Sequence, residues 1–96
     1  MSVYQEIYKI VAQVPKGKVI SYQQVSNLLN TRISAQLVGW AMKKAPEGIP
    51  AYRVVYSDGR LASEEVFGGQ DIQRHLLEQD GITFIDDKIN MKKHAV

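Results

Sequence analysis

Side chains capable of covalent or metal chemistry are scarce in this sequence. It contains no cysteine, which removes disulfides, thiolate metal ligands and thiol nucleophiles together. Its two histidines, His75 and His94, lack neighbours at the spacing of metal ligands, and no glycine-rich loop is present to hold a phosphate. We therefore expect no metal site and no cofactor.

Side chains able to bind a polyanion are more frequent, and they are unevenly distributed. The net charge of +2 divides into +4 over residues 1–48 and −2 over residues 49–96. The basic residues of the first half are Lys9, Lys16, Lys18, Arg32, Lys43 and Lys44. This asymmetry favours nucleic-acid phosphates as partners of the first half, where each contact would add about one unit of salt dependence. The alternative is that each of these side chains is simply solvated.

The composition is that of one ordinary globular domain. A chain of 96 residues can bury a single modest core, so we expect one domain over residues 1–96. No apolar run approaches the roughly 20 residues needed to span a bilayer. The first residues mix charge into an amphipathic pattern and show no export signal. We expect a monomeric, cytoplasmic protein that does not enter a membrane.

Apolar residues recur at helical spacing three times in the first half of the chain. A serine stands at each expected helix start: Ser2, Ser21 and Ser34. The first two serines have a glutamine three residues later, the capping-box pattern. The first helix would end before Pro15, and the third would run to about Ala45. The second and third helices predict a helix-turn-helix, with the third as the recognition helix.

The second half predicts short strands and one more helix. Tyr52–Tyr56 is apolar and β-branched before the turn signal Ser57–Gly59, which indicates a small β hairpin or wing. Residues 71–80 read as a helix that ends at Gly81. Its inward side chains would be Ile72, Leu76 and Leu77. Residues 82–85 and 88–91 would form a terminal hairpin around Asp86 and Asp87. The predicted fold class is mainly α: a winged-helix-like helix-turn-helix DNA-binding domain with a small β wing.

Three ordered segments resemble the DNA-binding domain of the O6-alkylguanine-DNA alkyltransferases, over residues 3 to about 85. The segments are Val19–Gln24, Ala35–Met42 and Ile49–Val55. In that family the third segment reads Pro-Cys-His-Arg-Val, and the cysteine takes the alkyl group from the damaged guanine. Ala51 stands at the cysteine position and Tyr52 at the histidine position. Because alanine has no nucleophilic atom, the resemblance implies the non-enzymatic, alkyltransferase-like branch.

This resemblance implies a function without catalysis. Such a protein binds double-stranded DNA containing O6-alkylguanine and flips the damaged base into a pocket. It leaves the alkyl group in place and flags the lesion for nucleotide excision repair through UvrA-type damage-recognition proteins. The alternatives are a winged-helix-like transcriptional regulator and a protein-interaction module that has lost lesion binding. Gln36 and the acidic pair Glu64 and Glu65 favour the interaction module, because acids are unexpected beside a polyanion.

The resemblance also implies individual DNA-contacting residues. Tyr22 matches a tyrosine that pushes the phosphate beside the flipped nucleotide, and the alternative is a tyrosine that packs the helix entry. Gln36 stands where the family has an arginine that fills the vacated base stack. Gly39 and Trp40 occupy two positions that are usually small, where the helix approaches the DNA backbone. The complete expected DNA-binding set is Tyr22, Gln36, Gly39, Trp40, Lys43, Lys44, Arg53 and Arg60.

The expected lesion pocket lies around the position of the missing cysteine. Its residues are Pro50, Ala51, Tyr52, Val54 and Val66. Ala51 would leave a wide cavity that tolerates bulky adducts, because an apolar pocket discriminates poorly between alkyl groups. Arg53 has two interpretations, a structural bond to nearby carbonyls or a direct contact with DNA. Asp80 is the nearest match to the glutamate that assists the cysteine in the enzymes.

Overall fold

The computed structural model describes residues 2–29, 33–61 and 70–96, and of Gln70 only the backbone. Its helices are α1 (Val3–Ala12), α2 (Tyr22–Leu28), α3 (Ala35–Lys43), α4 (Gln70–Gln79) and α5 (Met91–His94), with a 3-10 turn at Ala51–Arg53. Its strands are β1 (Ile20–Ser21), β2 (Val54–Val55), β3 (Phe84–Ile85) and β4 (Lys88–Ile89). The predicted mainly helical fold with a helix-turn-helix, α2 followed by α3, is confirmed. In the described part of the chain, no helix is long and apolar enough to cross a membrane.

The three N-terminal helices begin where the serine caps predict. Ser2 forms the complete capping box with Gln5, in which side chain and backbone bond reciprocally. The Ser21 hydroxyl accepts from the Gln24 N–H at 3.0 Å, and the Ser34 hydroxyl accepts from the Leu37 N–H at 3.2 Å. These bonds satisfy backbone donors that the first helical turn leaves unpaired. Helix α3 ends at Lys43, two residues before the predicted end.

The helix-turn-helix is held against α1 by an apolar core. Its fully enclosed side chains include Ile7, Val11, Val25, Val38 and Val54. Strand β1 pairs with β2 in parallel, with Ile20 opposite Val54 and Ser21 opposite Val55. This pairing fixes the start of α2 beside the chain that follows β2.

The predicted turn at Ser57–Gly59 is present, and the strand before it pairs with a distant segment of the chain. Strand β2 pairs with β1, and its valines are completely buried in the core. The Tyr56 N–H donates to the Arg60 carbonyl at 3.0 Å as the chain turns back, and residues 62–69, which would continue a hairpin, lie outside the described residues. After β2 the chain turns through a bond from the Gly59 N–H to the Tyr56 carbonyl, 2.9 Å long. Gly59 has φ +91°, and a Cβ there would lie 2.5 Å from the Ile89 carbonyl oxygen. The turn therefore requires glycine where it meets β4.

Helix α4 is confirmed, but one of its inward residues is not. Leu77 is fully buried as predicted, and Gly81 ends the helix with φ +89°. Ile72 is exposed, and Gln73 takes the buried position instead. The Gln73 side-chain amide donates to the carbonyls of Tyr52 and Val54, at 3.0 and 3.2 Å. An amide satisfies these buried acceptors, and an isoleucine side chain has no donor for them.

The C-terminal residues close the fold over the turn that precedes β1. The predicted terminal hairpin is confirmed, since β3 and β4 pair antiparallel with Phe84 opposite Ile89. Helix α5 follows, and the sequence pattern does not predict it. His94 in α5 is buried, and its Nε2 accepts from the Thr83 N–H at 3.0 Å. Its Nδ1 lies 3.1 Å from the Gly17 carbonyl oxygen, so His94 joins two distant turns.

Candidate nucleic-acid interface

Helix α3 has one face in the core and one face turned outward. Val38, Ala41 and Met42 are buried against the other helices. The outward face carries Gln36, Gly39, Trp40 and Lys43, at positions i, i+3, i+4 and i+7. This spacing places them in one stripe along the helix. The recognition helix of the helix-turn-helix thus presents a polar and aromatic stripe to its surroundings.

The stripe forms one wall of an open cavity of about 480 Å³. Its lining residues are Tyr22, Gln23, Ala35, Gln36, Gly39, Trp40, Lys43, Tyr56 and Ser57. Five of them belong to the DNA-binding set expected from the sequence: Tyr22, Gln36, Gly39, Trp40 and Lys43. The structure brings these five together from two helices. A volume of this size is typical of ligand-binding clefts.

The other four lining residues are not predicted from the sequence. Gln23 and Ala35 directly adjoin the predicted contacts Tyr22 and Gln36, which was the available signal for them. Tyr56 follows β2, and it reaches the cavity because β2 lies beside β1. Ser57 starts the turn after it. A local pattern cannot indicate this approach between separate segments of the chain.

Tyr22 lies at the base of the cavity, where α2 begins. Its side chain is 6% exposed, and its ring centroid is 5.3 Å from that of Tyr56. Burial raises the pKa of Tyr22 far above its ordinary value, and the neighbouring Tyr56 raises it further. The hydroxyl therefore stays protonated at physiological pH. Among the described residues the hydroxyl has no hydrogen-bond partner, and Tyr22 is one of the residues that line the cavity.

Arg60 lies beside the cavity but does not line it. Its guanidinium Nε is 2.7 Å from Oδ2 of Asp58, and its central carbon is 5.3 Å from the Tyr56 ring centroid. The backbone N–H of Arg60 also donates to Asp58, and this bond lowers the pKa of the Asp58 carboxyl. Arg60 is well exposed, yet a carboxylate offsets its charge. Lys44, also in the expected DNA-binding set, is exposed outside the cavity.

Arg53 is a correction to the expected DNA-binding set. Its Nε donates to Oδ2 of Asp80 at 2.8 Å, and its Nη1 donates to the Val14 carbonyl at 2.8 Å. The side chain is only 14% exposed. Its donors face inward and link the residues that follow α1 and α4 to the 3-10 turn. Of the two interpretations of Arg53, the structure therefore supports the structural one.

The described residues of the expected lesion pocket lie away from the lining of the 480 Å³ cavity. Val54 is fully buried because it packs in the apolar core, and Ala51 is 8% exposed in the same core. The Tyr52 hydroxyl donates to Asp80 at 2.9 Å instead of pointing into an opening. Pro50, Ala51, Tyr52 and Val54 are all missing from the lining of the 480 Å³ cavity. Val66 lies outside the described residues, as do Glu64 and Glu65.

Tyr52, which follows Ala51 in the sequence, cannot serve as a base for a nucleophile. Burial raises the pKa of Tyr52, and its hydrogen bond to Asp80 raises it further. The Tyr52 phenol is therefore a proton donor to Asp80 and remains protonated at neutral pH. Over residues 2–29, 33–61 and 70–96, no three potential metal ligands come together. The arrangement suits binding by stacking, hydrogen bonding and charge.

Comparison with known proteins gives one consistent family. Residues 2–82 match the family model described as 6-O-methylguanine DNA methyltransferase, DNA binding domain. A relative from Schizosaccharomyces pombe, alkyltransferase-like protein 1, is 32% identical over 81 residues, covering 82% of this chain and 75% of that protein. The Escherichia coli DNA base-flipping protein is 36% identical over 72 residues, covering 73% of this chain and 53% of that protein. The rat methylated-DNA–protein-cysteine methyltransferase is 36% identical over 80 residues, and the chain spans only 38% of its length.

Solved structures agree with these sequence relatives. Schizosaccharomyces pombe Atl1 in complex with damaged DNA containing O6-carboxymethylguanine superposes with a TM-score of 0.81 at 25% identity. That match covers 97% of this chain and 93% of the other. Mycobacterium tuberculosis OGT in complex with DNA gives a TM-score of 0.75 at 26% identity. It covers 84% of this chain and 49% of that one.

Proposed function

The chain belongs to the family of O6-methylguanine DNA methyltransferase DNA-binding domains, and from this premise we propose that it binds duplex DNA containing O6-alkylguanine and everts the damaged nucleotide. The alkyl group stays on the base. Support for damaged DNA as the ligand comes from the related Atl1, which was solved with DNA containing O6-carboxymethylguanine. The protein would then recognise the lesion without repairing it.

One observation carries this proposal: the outward stripe of α3 and Tyr22 face the same cavity. Gln36, Gly39 and Trp40 would contact the nucleotides around the lesion, and Lys43 would contact phosphate. Tyr22, whose hydroxyl stays protonated, lines the same cavity at the start of α2. A phenol in this position donates to a phosphate oxygen of the everted nucleotide.

The absence of alkyl transfer follows from the residues at the reacting position. Alkyl transfer needs a thiolate activated by a neighbouring base. Ala51 occupies the position of the family cysteine, and the neighbouring Tyr52 is bound to Asp80.

Because this protein would leave the adduct on the DNA, a second activity is needed to remove it. We place this activity with nucleotide excision repair proteins of the UvrA type, acting in the cytoplasm on a monomer of this chain. The exposed surface around Lys44 lies outside the cavity and would remain accessible in a complex with DNA.

The test is a binding titration with two short duplexes that differ only in guanine or O6-methylguanine at one position. Fluorescence anisotropy of the labelled duplex is measured at two salt concentrations. We expect at least several-fold tighter binding to the lesion and a preference that shrinks for Tyr22→Ala. Tyr22→Phe, which keeps the packing of the ring, separates loss of the hydroxyl from loss of fold.

Other results would replace the proposal with a different function. Binding that depends on the surrounding sequence and ignores the lesion would indicate a transcriptional regulator. Binding to neither duplex by a folded protein would indicate an interaction module. Thermal unfolding of each variant, measured beside the titration, establishes that the protein is folded.

A further inference from the structure

Two large aromatic side chains lie half-exposed at the same cavity. Trp40 is 49% exposed on α3, and Tyr56 is 40% exposed after β2. Of the described residues, the aromatic ones counted among the exposed large apolar side chains are these two, and both line the cavity. An exposed aromatic ring leaves apolar area in water, and two at one concave site mark a surface that another flat ring can cover.

The Tyr56 ring is held in place before any ligand arrives. The Tyr22 ring packs against it at 5.3 Å with an interplanar angle of 50°. The Arg60 guanidinium lies 5.3 Å from its centroid, and Asp58 anchors that guanidinium at 2.7 Å. Because these contacts already restrict the ring, a ligand that stacks on it pays little ordering entropy.

Polar side chains that line the same cavity fit the edge of a heterocycle. Gln23 and Gln36 carry amides that both donate and accept, and Ser57 adds a hydroxyl. These groups match the donors and acceptors on the edge of a nucleobase. A base paired within a duplex has both faces covered by its neighbours in the stack. The ligand that fits the cavity is therefore an unpaired base.

We infer that Trp40 and Tyr56 are the residues that stack on a base exposed by unpairing. This inference rests on the proposed function, because eversion of a damaged nucleotide is what supplies the unpaired base. Stacking on an aromatic side chain tolerates any base. The hydrogen-bonding groups of Gln23, Gln36 and Ser57 then orient that base in the cavity.

Trp40 is the single tryptophan of the sequence, so its fluorescence reports this contact directly. The probes are the lesion duplex, the undamaged duplex and a duplex with one bulged guanine. At equal occupancy, measured by anisotropy of a label on the DNA, we expect quenching by the lesion and bulged duplexes. The undamaged duplex should leave the emission nearly unchanged.

Substitutions test the two rings separately. Trp40→Ala and Tyr56→Ala should each weaken binding of the bulged duplex by about 5- to 100-fold, the loss typical of one base stack. Trp40→Phe and Tyr56→Phe keep an aromatic ring and should retain most of the affinity. Ile72→Ala is the matched control, because Ile72 is 50% exposed on α4 and does not line the cavity.

The outcomes distinguish this inference from the proposed function. Lesion preference without quenching, together with unchanged affinity of Trp40→Ala and Tyr56→Ala, overturns stacking and leaves the proposed function standing. Quenching by the bulged duplex without lesion preference overturns the proposed function and supports stacking. No response of Trp40 to either the lesion or the bulge overturns stacking whatever the affinity.

Discussion

Arg53 and Asp80 lie 27 residues apart in the sequence and form a nearly buried ion pair, with Nε 2.8 Å from Oδ2. The same carboxylate oxygen accepts the Tyr52 hydroxyl at 2.9 Å. Asp80 therefore fixes two consecutive residues that follow Ala51. The segment that the resemblance aligns with the cysteine segment of the alkyltransferases is held by structural contacts in this protein.

The buried position of this pair predicts a large cost for losing one partner. Arg53→Met leaves the Asp80 carboxylate without its cation and removes the bond to the Val14 carbonyl. We expect the free energy of unfolding to fall by about 3 kcal/mol, measured by urea denaturation. Arg60→Met is the matched control, because its ion pair with Asp58 is exposed and its loss should change stability little. Equal effects of the two substitutions would contradict the structural role of Arg53.

Two glycines should respond to alanine in opposite directions. At Gly59, φ is +91° and the new Cβ would collide with the Ile89 backbone. Gly59→Ala should therefore destabilise the protein by about 2 kcal/mol. Gly39 lies inside α3, and a Cβ there meets nothing within 4 Å. Gly39→Ala should raise the free energy of unfolding by about 0.5 to 1 kcal/mol.

Gly39→Ala should also separate stability from binding. Gly39 lines the cavity, so the added methyl occupies the surface that we propose to face DNA. We expect this variant to melt at a higher temperature and to bind the lesion duplex several-fold more weakly. Unchanged affinity in the more stable variant would place the DNA away from this part of α3.

Gln36→Arg tests the orientation of the recognition helix on DNA. An arginine in the outward stripe adds a cation at the cavity, so affinity should rise several-fold. The slope of log K against log salt should steepen by about 0.9 if the new cation meets one phosphate. Gln79→Arg adds the same charge to the exposed end of α4, outside the cavity. A similar steepening for both variants would indicate a nonspecific effect of net charge.

The buried Tyr22 predicts a specific loss of stability in alkali. Its pKa in the folded protein is raised above the ordinary value of 10.0, so folding favours the protonated phenol. This contribution is present below about pH 10 and is lost as the pH rises toward the folded pKa. Tyr22→Phe cannot ionise, and its unfolding free energy should fall less than that of the wild type between about pH 8 and about pH 11. Parallel curves would show that Tyr22 does not titrate in this range.

Restoring the thiol by itself should not restore the chemistry. Ala51→Cys places a thiol in a nearly buried apolar site, which raises its pKa. The neighbouring Tyr52 is protonated and bound to Asp80, so it cannot take the thiol proton. We expect the intact mass of Ala51→Cys to stay unchanged after incubation with the O6-methylguanine duplex. Rapid methyl gain would show that Ala51 is open and that another group acts as the base.

Much of the local structure was predictable because its causes are local. Ser2, Ser21 and Ser34 each bond to the backbone three residues ahead, so the helix starts can be recognised from neighbouring residues. Gly81 ends α4 for the same reason, since its positive φ needs no distant partner. The periodicity of α3 separated its buried side from its outward stripe.

Errors arose where distant segments meet. The pattern of residues 52–59 indicates the turn but not the pairing of β2 with β1, which buries both valines. Gln73 replaces Ile72 in the interior because two carbonyls face it from the 3-10 turn and β2. Neither the partner strand nor the carbonyls are neighbours in the sequence.

The sequence by itself determined the helix-turn-helix, the family resemblance and the lack of any thiol. Tertiary structure decided which residues share a site: it moved Arg53 and Val54 into the interior and brought Tyr56 to the cavity. The physical reason is that helix caps and periodicity act over one or two turns. Burial and ion pairing depend on contacts between residues that only the folded chain brings together.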